Sequence, residues 1–283
     1  MKVLSSAPPP VDPALLSRAL DVAGRLANDA AEVITATAGR GADVHAGLFD
    51  WVTSTDRTLA RHTRRVLAAE FAGVPVVGEE CDDDAPASPA GEPALGLDEQ
   101  VGTPYRWLVG GPGETRCGSA NYVAGFGWCA YSVALVDAAG PVVGVVADPG
   151  RAQIYAAARG RGTRANGAAV PSATRGPGGG PVCCELGGDG AAAFLRAAGT
   201  RARVLGSAAL AITQVALGHA AAAVVDGHRA WDVAGALCLA TESGAVVVDA
   251  LGRPDPLPAG ALLVARPAAV EAVLEWWRAA LAT

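Results

Sequence analysis

The second half of the chain alternates strands with helices, and this alternation limits the available folds more than any other feature. A run rich in proline and glycine, 171–181, has the composition of a linker. After it, apolar runs predict strands near 182 and at 202–205, 221–225, 245–249 and 260–264, with helices at 189–198, 207–217, 232–243 and 267–282. Such alternation is typical of a layered α/β architecture, because helices must cover the faces of a sheet.

The first half predicts helices packed with antiparallel strands. Asp12 followed by Pro13 marks a helix start, and apolar residues at steps of three and four extend this helix over 13–38. The other predicted elements are a helix over 55–71, strands at 74–77 and 153–157, and a hairpin formed by 128–136 and 142–147. We therefore expect an α+β half, residues 1–170, and an α/β half, residues 182–283, that closes a cleft against it.

Composition excludes several classes of protein. Of the 283 residues, 51% are hydrophobic and 18% are charged, which is enough to bury a substantial core. The net charge of −6 argues against nucleic acid as a partner, because binding the phosphate backbone of a nucleic acid needs a basic surface. No apolar run reaches the roughly 18–20 residues that span a membrane. Six cysteines lack the spacing of a metal site, so they are predicted to be reduced and buried in a cytoplasmic protein.

Four polar clusters interrupt the predicted elements. They are 50–56 (DWVTSTD), 77–80 (VGEE), 107–115 (WLVGGPGET) and 230–234 (AWDVA). Taken singly, their acids have a structural explanation, since Asp56 lies in the first turn of a predicted helix and Asp232 precedes a helix predicted to begin at Val233. Taken together, they supply carboxylates from distant segments, which is how proteins assemble sites for hard divalent cations.

In this order, the clusters resemble the inositol monophosphatase family. The family pattern is D-x-V-T-x-x-D, then G-E-E, then W-x-x-D-P-x-D-G-T, then W-D-x-A. The resemblance covers roughly residues 14 to 265 of this chain. It implies the sugar-phosphatase fold with stacked α, β, α, β and α layers, a Mg2+-dependent phosphomonoesterase, and a homodimer.

The resemblance implies roles for the four residues that occupy matching positions of the family pattern. Glu79 and Asp232 correspond to metal ligands, and Asp56 corresponds to the aspartate that orders the activating network. Thr115 corresponds to the threonine that assists the nucleophilic water. These four residues are the catalytic candidates.

The third cluster departs from the family pattern at its central acids. The two aspartates of D-P-x-D-G-T are replaced by Gly110 and Gly113, and the glycine of D-G-T is Glu114. Glycine offers no side-chain oxygen to an ion. The three retained carboxylates could hold at most one weak divalent ion, so we expect no cofactor beyond a weak or vestigial Mg2+ site at Glu79 and Asp232.

A second set of residues is predicted to contact a ligand. The turn 206–209 matches the small-residue helix start that lines the family's substrate cleft, where backbone N–H groups can bind an anion or a hydroxyl. Asp226 lies beside Val225, which stands where an inositol-type enzyme has a hydroxyl-binding glutamate. Arg116 is expected to turn toward the retained carboxylates and replace the ion, with Arg57 as the second choice. The candidates are Gly206, Ser207, Ala208, Asp226, Glu114 and Arg116.

Three functions follow from a phosphatase-like chain with an altered metal motif. The first is a repurposed or non-catalytic protein that binds a small phosphorylated or polyhydroxylated molecule in the cleft. The second is a metal-independent enzyme that uses Asp56, Glu79 and Asp232 as acid and base groups. The third is an active Mg2+-dependent sugar or inositol monophosphatase that recruits a substitute ligand, either Glu114 or an acid of 82–84.

Overall fold

The computed structural model describes residues 10–40, 44–45, 52–78, 103–112, 118–172 and 179–281. The helices in this part of the chain are α1 (Pro13–Thr37), α2 (Ser54–Glu70), α3 (Gly118–Ala124), α4 (Gly188–Ala198), α5 (Ala208–Ala216), α6 (Ala230–Glu242) and α7 (Val270–Leu281). The predicted start of α1 is confirmed, because the Asp12 side chain accepts a hydrogen bond from the N–H of Ala14 at 3.0 Å.

Within the described ranges, the strands form two large sheets and one short pair. They are β1 (Val44–His45), β2 (Val52–Thr53), β3 (Val76–Val77), β4 (Arg106–Gly110), β5 (Tyr131–Asp137), β6 (Gly140–Asp148), β7 (Gln153–Ala158), β8 (Thr163–Ala165), β9 (Ala168–Ala169), β10 (Val182–Glu185), β11 (Ala202–Arg203), β12 (Ala222–His228), β13 (Val246–Asp249) and β14 (Gly260–Ala265). The seven-stranded sheet has the order β3-β4-β5-β6-β7-β8-β9, and the five-stranded sheet has the order β11-β10-β12-β14-β13.

The described elements stack in five layers around three apolar cores. The first core packs α1 and α2 against one face of the seven-stranded sheet. The second packs α5 and α6 between the other face of that sheet and the five-stranded sheet. The third packs α4 and α7 on the far face of the five-stranded sheet. The predicted order of α, β, α, β and α layers is therefore confirmed.

Strand β5 shows how one sheet serves two cores. Val133 and Leu135 belong to the first core, and Ala134 and Val136 belong to the second. Successive side chains of a strand point to opposite faces, so a strand buried on both sides is a continuous apolar run. This is why 128–136 lacks the alternation of polar and apolar residues that marks a half-exposed strand.

Several predicted elements need correction. Two elements around the cluster 107–115 were not predicted, the strand β4 (Arg106–Gly110) and the helix α3 (Gly118–Ala124). The strand predicted from 128 begins at Tyr131, and the helix predicted from 232 begins at Ala230. Asp232 therefore lies inside the first turn of α6 and does not precede a helix that begins at Val233. Residues 173–178 of the predicted linker lie outside the described residues, and the division into two halves stays a prediction.

Two expectations about composition can be compared with the described part of the chain. Cys129, Cys183, Cys184 and Cys238 are buried and free. Burial raises the pKa of the Cys183 thiol to about 12, so it remains protonated and unreactive at neutral pH. None of the helices in the described ranges is both long enough and apolar enough to cross a membrane.

The close approach of β6 to α6 yields a stability prediction. A Cβ atom on Gly144 would collide with the carbonyl oxygen of Gly235 and come within 2.5 Å of Cys238 Cβ. We expect Gly144→Ala to lower the free energy of unfolding by about 1–3 kcal/mol, because a packed core resists added volume. Urea denaturation measures this change.

The matched control is Gly24→Ala within α1. A Cβ atom on Gly24 would have no neighbour within 4 Å. Alanine is a better helix former than glycine, so this substitution should raise the free energy of unfolding by roughly 0.5–1 kcal/mol. Equal effects of the two substitutions would contradict the packing described between β6 and α6.

Candidate functional site

A small pocket lies where β4, β5, α5 and α6 meet. It encloses about 280 Å³, including space open to solvent. Its lining residues are Gly110, Gly111, Pro112, Gly118, Ala130, Ser132, Ser207, Ala209 and Asp232. The structure thus brings three residues singled out from the sequence, Gly110, Ser207 and Asp232, into the wall of one pocket.

Gly110 ends β4 and faces Ser132 across the sheet. The two residues are Cα partners in the antiparallel pairing of β4 with β5. Side chains of directly paired residues lie side by side on the same face, so a side chain at 110 would lie beside that of Ser132. Glycine leaves this part of the pocket wall without a carboxylate.

The Ser132 hydroxyl is a buried polar group facing this gap. Ser132 is 3% exposed, and its Oγ has no hydrogen-bond partner among the described residues. It packs against α6 so closely that a Cβ atom on Gly235 would lie 2.5 Å from Oγ. A buried hydroxyl without a partner costs stability, and it can donate or accept a hydrogen bond if a ligand enters.

Asp232 has a structural contact and also lines the pocket. Its Oδ2 accepts a hydrogen bond of 2.7 Å from the backbone N–H of Arg229, just before the first turn of α6. A carboxylate in this turn is also stabilised by the helix dipole. Because Asp232 is 5% exposed and lines the pocket, the capping role and a role in the site are compatible.

Asp56 stabilises the start of α2. Its Oδ2 accepts hydrogen bonds from the N–H and the Oγ1 of Thr53, at 2.9 and 2.7 Å, in a reciprocal capping arrangement. Asp56 is 4% exposed, and it is not among the residues that line the pocket. These contacts explain why an acid at this position stabilises the fold.

The predicted helix start at 206–209 is confirmed. Gly206 has a φ of +73°, a left-handed conformation that favours glycine. The next residue, Ser207, caps α5, and its Oγ accepts a hydrogen bond from the N–H of Leu210 at 3.3 Å. Ser207 and Ala209 line the pocket, so the positive end of the α5 dipole lies at its wall.

Glu185, at the end of β10, was missed by the sequence analysis. Its carboxylate accepts hydrogen bonds from the N–H groups of Leu205 and Gly206, at 2.8 and 3.0 Å. Burial raises the pKa of Glu185 to about 7, and the two backbone hydrogen bonds oppose that rise. An acid that directly follows an apolar strand was the available signal, because site residues often lie at the carboxyl ends of parallel strands.

Asn121, on α3, holds the same turn from the other side. Its Nδ2 donates hydrogen bonds to the carbonyl oxygens of Trp128 and Leu205, both at 2.8 Å. The helix α3 therefore connects the segment after β4 with the backbone that precedes α5. No pattern in the sequence indicated this contact.

The remaining candidates lie elsewhere or outside the described residues. Asp226 is exposed, and its Oδ1 accepts a hydrogen bond from the N–H of Gly187 at 3.0 Å. Val225 is in the apolar core, and Arg57 is exposed on α2. Ala208, which begins α5, is buried. Glu79, Gly113, Glu114, Thr115 and Arg116 lie outside the described residues.

The described side chains of the pocket do not by themselves fit Mg2+. Mg2+ prefers several hard oxygen ligands in octahedral geometry, commonly with more than one carboxylate. The described lining residues include one carboxylate, that of Asp232. Within the described ranges, no group of three or more His, Cys, Asp or Glu side chains could hold an ion.

Comparisons with known proteins show which family the chain resembles. A sequence model described as the inositol monophosphatase family matches residues 15–280. The inositol-1-monophosphatase ImpA of Mycolicibacterium smegmatis is 27% identical, over 80% of this chain and 79% of its own length. A fructose-1,6-bisphosphatase/inositol-1-monophosphatase of Aquifex aeolicus is 32% identical over 43% of this chain, and the chain spans only 39% of that relative.

Solved structures give the same fold. The Thermotoga maritima IMPase superposes with a TM-score of 0.77 at 20% identity, covering 93% of this chain and 98% of its own. A structure described as an IMPase/NADP phosphatase complexed with Mg2+ and phosphate superposes with a TM-score of 0.73 at 18% identity, over 92% and 95% of the two chains. At these identities the likeness concerns the fold.

The Ser132 hydroxyl yields the prediction for this site. We expect Ser132→Ala to raise the free energy of unfolding by about 1 kcal/mol, because it removes a buried hydroxyl that lacks a described partner. The control is Thr163→Val. Thr163 is equally buried, and its Oγ1 donates a 2.8 Å hydrogen bond to Leu239, so its loss should lower the free energy by about 1 kcal/mol. Chemical denaturation measures the free energy of unfolding of both variants. A decrease for Ser132→Ala would contradict the interpretation that its hydroxyl has no hydrogen-bond partner.

Proposed function

Because this chain belongs to the inositol monophosphatase family, we propose that it is a diverged member that binds a small phosphorylated or polyhydroxylated molecule. Its Mg2+-dependent phosphatase activity is lost or weak in this proposal. The observation that carries it is Gly110, which lies in the pocket wall where the family pattern has an aspartate. Gly113, outside the described residues, removes the second central acid of the same pattern.

The groups that line the pocket suit a ligand with hydroxyl or anionic groups. The start of α5 presents the positive end of a helix dipole, which favours a phosphate or a hydroxyl oxygen. The Ser132 hydroxyl can donate or accept a hydrogen bond, and the Asp232 carboxylate can accept one from a ligand hydroxyl. These interactions need no metal ion, so ligand binding can persist where catalysis does not.

The chemistry explains why two missing aspartates affect catalysis more than binding. Bound Mg2+ activates water, neutralises the phosphate and stabilises the leaving oxygen. In the family pattern the two central aspartates are metal ligands, and glycine supplies no oxygen in their place. Removing the ions removes stabilisation that is specific to the transition state, whereas part of the ground-state binding comes from the backbone and hydroxyl groups.

One alternative function has support from the relatives. Their names include inositol-1-monophosphatase, and one solved relative is described with Mg2+ and phosphate. An active Mg2+-dependent phosphatase would require a substitute ligand, such as Glu114 or an acid of 82–84. A metal-independent enzyme that uses Asp56, Glu79 and Asp232 has less support, because Asp56 caps α2 and does not line the pocket. The proposal includes a homodimer, which the resemblance to the family implies, and a cytoplasmic location, which the pattern of the cysteines predicts.

Catalytic rate gives the direct test. We expect the wild-type protein to hydrolyse inositol and sugar monophosphates at least about 100-fold more slowly than a family member with the complete motif, because loss of the ions removes several kcal/mol of transition-state stabilisation. Phosphate release is measured with and without Mg2+. Normal turnover that requires Mg2+ would overturn the proposal and favour the substitute-ligand alternative.

Restoring the missing acids tests the inherited geometry. We expect Gly110→Asp combined with Gly113→Asp to restore Mg2+ binding, measured by titration calorimetry, because Asp232 already lies in the same pocket. Adding Glu114→Gly tests whether the loop also needs the conformational freedom of glycine.

The control for this experiment adds the same charge elsewhere. Gly179→Asp combined with Gly190→Asp places two carboxylates at positions that do not line the pocket and where a Cβ atom meets nothing within 4 Å. This control should bind Mg2+ no better than wild type. If the pocket variant folds and also binds no better than wild type, the geometric argument is wrong.

A further inference from the structure

We propose that Glu185 is a positioning residue for the pocket, whose carboxylate holds the Leu205–Gly206 backbone so that the start of α5 faces the ligand. The inference rests on the proposed binding function, because the start of α5 is one wall of the pocket. Glu185 touches the backbone of the turn, and any effect on the ligand passes through that backbone.

Both carboxylate oxygens of Glu185 are used. Oε1 accepts the N–H of Leu205 at 2.8 Å, and Oε2 accepts the N–H of Gly206 at 3.0 Å. Two consecutive N–H groups are thereby directed at one side chain, which fixes the peptide plane between them. The next residue, Ser207, is the N-cap of α5 and lines the pocket. A change in this turn would therefore move the capping residue and the first N–H groups of the helix.

The turn is held on its opposite side by Asn121. The carbonyl oxygen of Leu205 accepts a 2.8 Å hydrogen bond from Asn121 Nδ2. Glu185 thus binds the N–H groups of the turn, and Asn121 binds its carbonyl group. Gly206 adopts a φ of +73°, a left-handed conformation that favours glycine, and these two side chains bind the backbone at this position.

Two backbone N–H groups bind the Glu185 carboxylate. Among the described residues, Asp226 on β12 and Arg203 on β11 are charged groups on the strands that pair with β10. Cys183 and Cys184 on the same strand remain neutral thiols, because burial raises their pKa values to about 12 and about 11. The hydrogen bonds found for the Glu185 carboxylate within the described residues come from the backbone of the turn.

The position of Glu185 makes the turn sensitive to pH. The ionised carboxylate accepts two hydrogen bonds, whereas the protonated group carries an O–H donor and loses an acceptor. Burial raises the pKa of Glu185 to about 7. Both hydrogen bonds from the Leu205 and Gly206 N–H groups are therefore at full strength above neutral pH and weaken below it. The pKa of Glu185 is higher in the folded protein than in the unfolded chain, so this group stabilises the fold at pH values below its unfolded pKa. The stabilisation is lost as the pH rises through the folded pKa of about 7. The ionised form, which holds the turn, is therefore kept at a cost in stability.

The first measurement needs no ligand. The backbone 15N–1H resonances of Leu205 and Gly206 are followed from about pH 5.5 to 8.5. In wild type they should shift with a common midpoint near neutral pH, and in Glu185→Gln this shift should disappear. The control is Glu242→Gln, since Glu242 also accepts two backbone N–H groups, those of Gly160 and Gly162, at 2.9 Å each. Glu242→Gln should leave the titration of the turn unchanged.

The second measurement uses inositol 1-phosphate as the probe. Wild type should bind it more tightly above neutral pH than below, by roughly tenfold. Glu185→Gln should bind it about tenfold more weakly than wild type at the higher pH and should lack the step that titration of Glu185 produces. The probe's own phosphate titrates in every variant, so the difference between the two profiles isolates Glu185. Glu242→Gln should follow the wild-type profile.

The outcomes separate this inference from the proposed function. Resonances of Leu205 and Gly206 that do not titrate, or wild-type affinity in Glu185→Gln, would overturn the role of Glu185. If wild type binds no inositol 1-phosphate, the proposed function fails, and the resonances still decide whether Glu185 holds the turn. If Glu185→Gln does not fold, Glu185→Asp replaces it, because its shorter side chain cannot reach both N–H groups and should also lose the wild-type titration.

Discussion

The packing of α5 and α6 between two sheets is the constraint on which the rest of the molecule depends. Residues of α6 are buried around most of its circumference, and β5 and β6 approach so closely that little space remains for a Cβ atom at Gly144 or Gly235. A helix that is apolar on all sides can only be an interior helix. Polar chemistry in this layer is then confined to the helix ends, where unpaired backbone N–H groups need partners. The pocket lies there, at the starts of α5 and α6.

This constraint explains the dual character of the acids near the pocket. Asp232 binds the N–H of Arg229 at the start of α6, and Asp56 binds Thr53 at the start of α2. Both acids stabilise helix ends whether or not a metal ion is present. Gly110 lies at the end of β4, where a carboxylate would lie beside Ser132. Asp56 and Asp232, which stabilise helix starts, are present in this chain, whereas the central acid at position 110 is absent.

Glu185 differs from Asp56 and Asp232, because its ionised form lowers the stability of the fold. Its burial favours the protonated form, yet the two N–H groups of the turn are best satisfied by the ionised form. A side chain held in a costly ionisation state is common at functional sites, since stability alone would favour an apolar or neutral residue. Ser132 is a second residue beside the pocket that lowers stability, because its buried hydroxyl lacks a hydrogen-bond partner in the described part of the chain.

The layered α/β architecture could be predicted from the sequence alone, because hydrophobic periodicity and capping residues are local features that do not depend on tertiary contacts. The start of α1 at Asp12 and Pro13, the β5–β6 hairpin and the order of polar clusters that identifies the family were all readable in this way. Residues 113–117 of the altered motif lie outside the described residues, so the roles of Glu114, Thr115 and Arg116 stay predictions.

Which side chains are in contact depends on the tertiary structure. Glu185 contacts a turn 20 residues further along the chain, and Asn121 reaches the same turn across 84 residues. The pairing of Gly110 with Ser132 likewise depends on the register between β4 and β5, which no local pattern specifies. Contacts between distant segments are set by how the layers stack, and that stacking is fixed by the sum of many apolar contacts, none of which is readable from a single stretch of sequence.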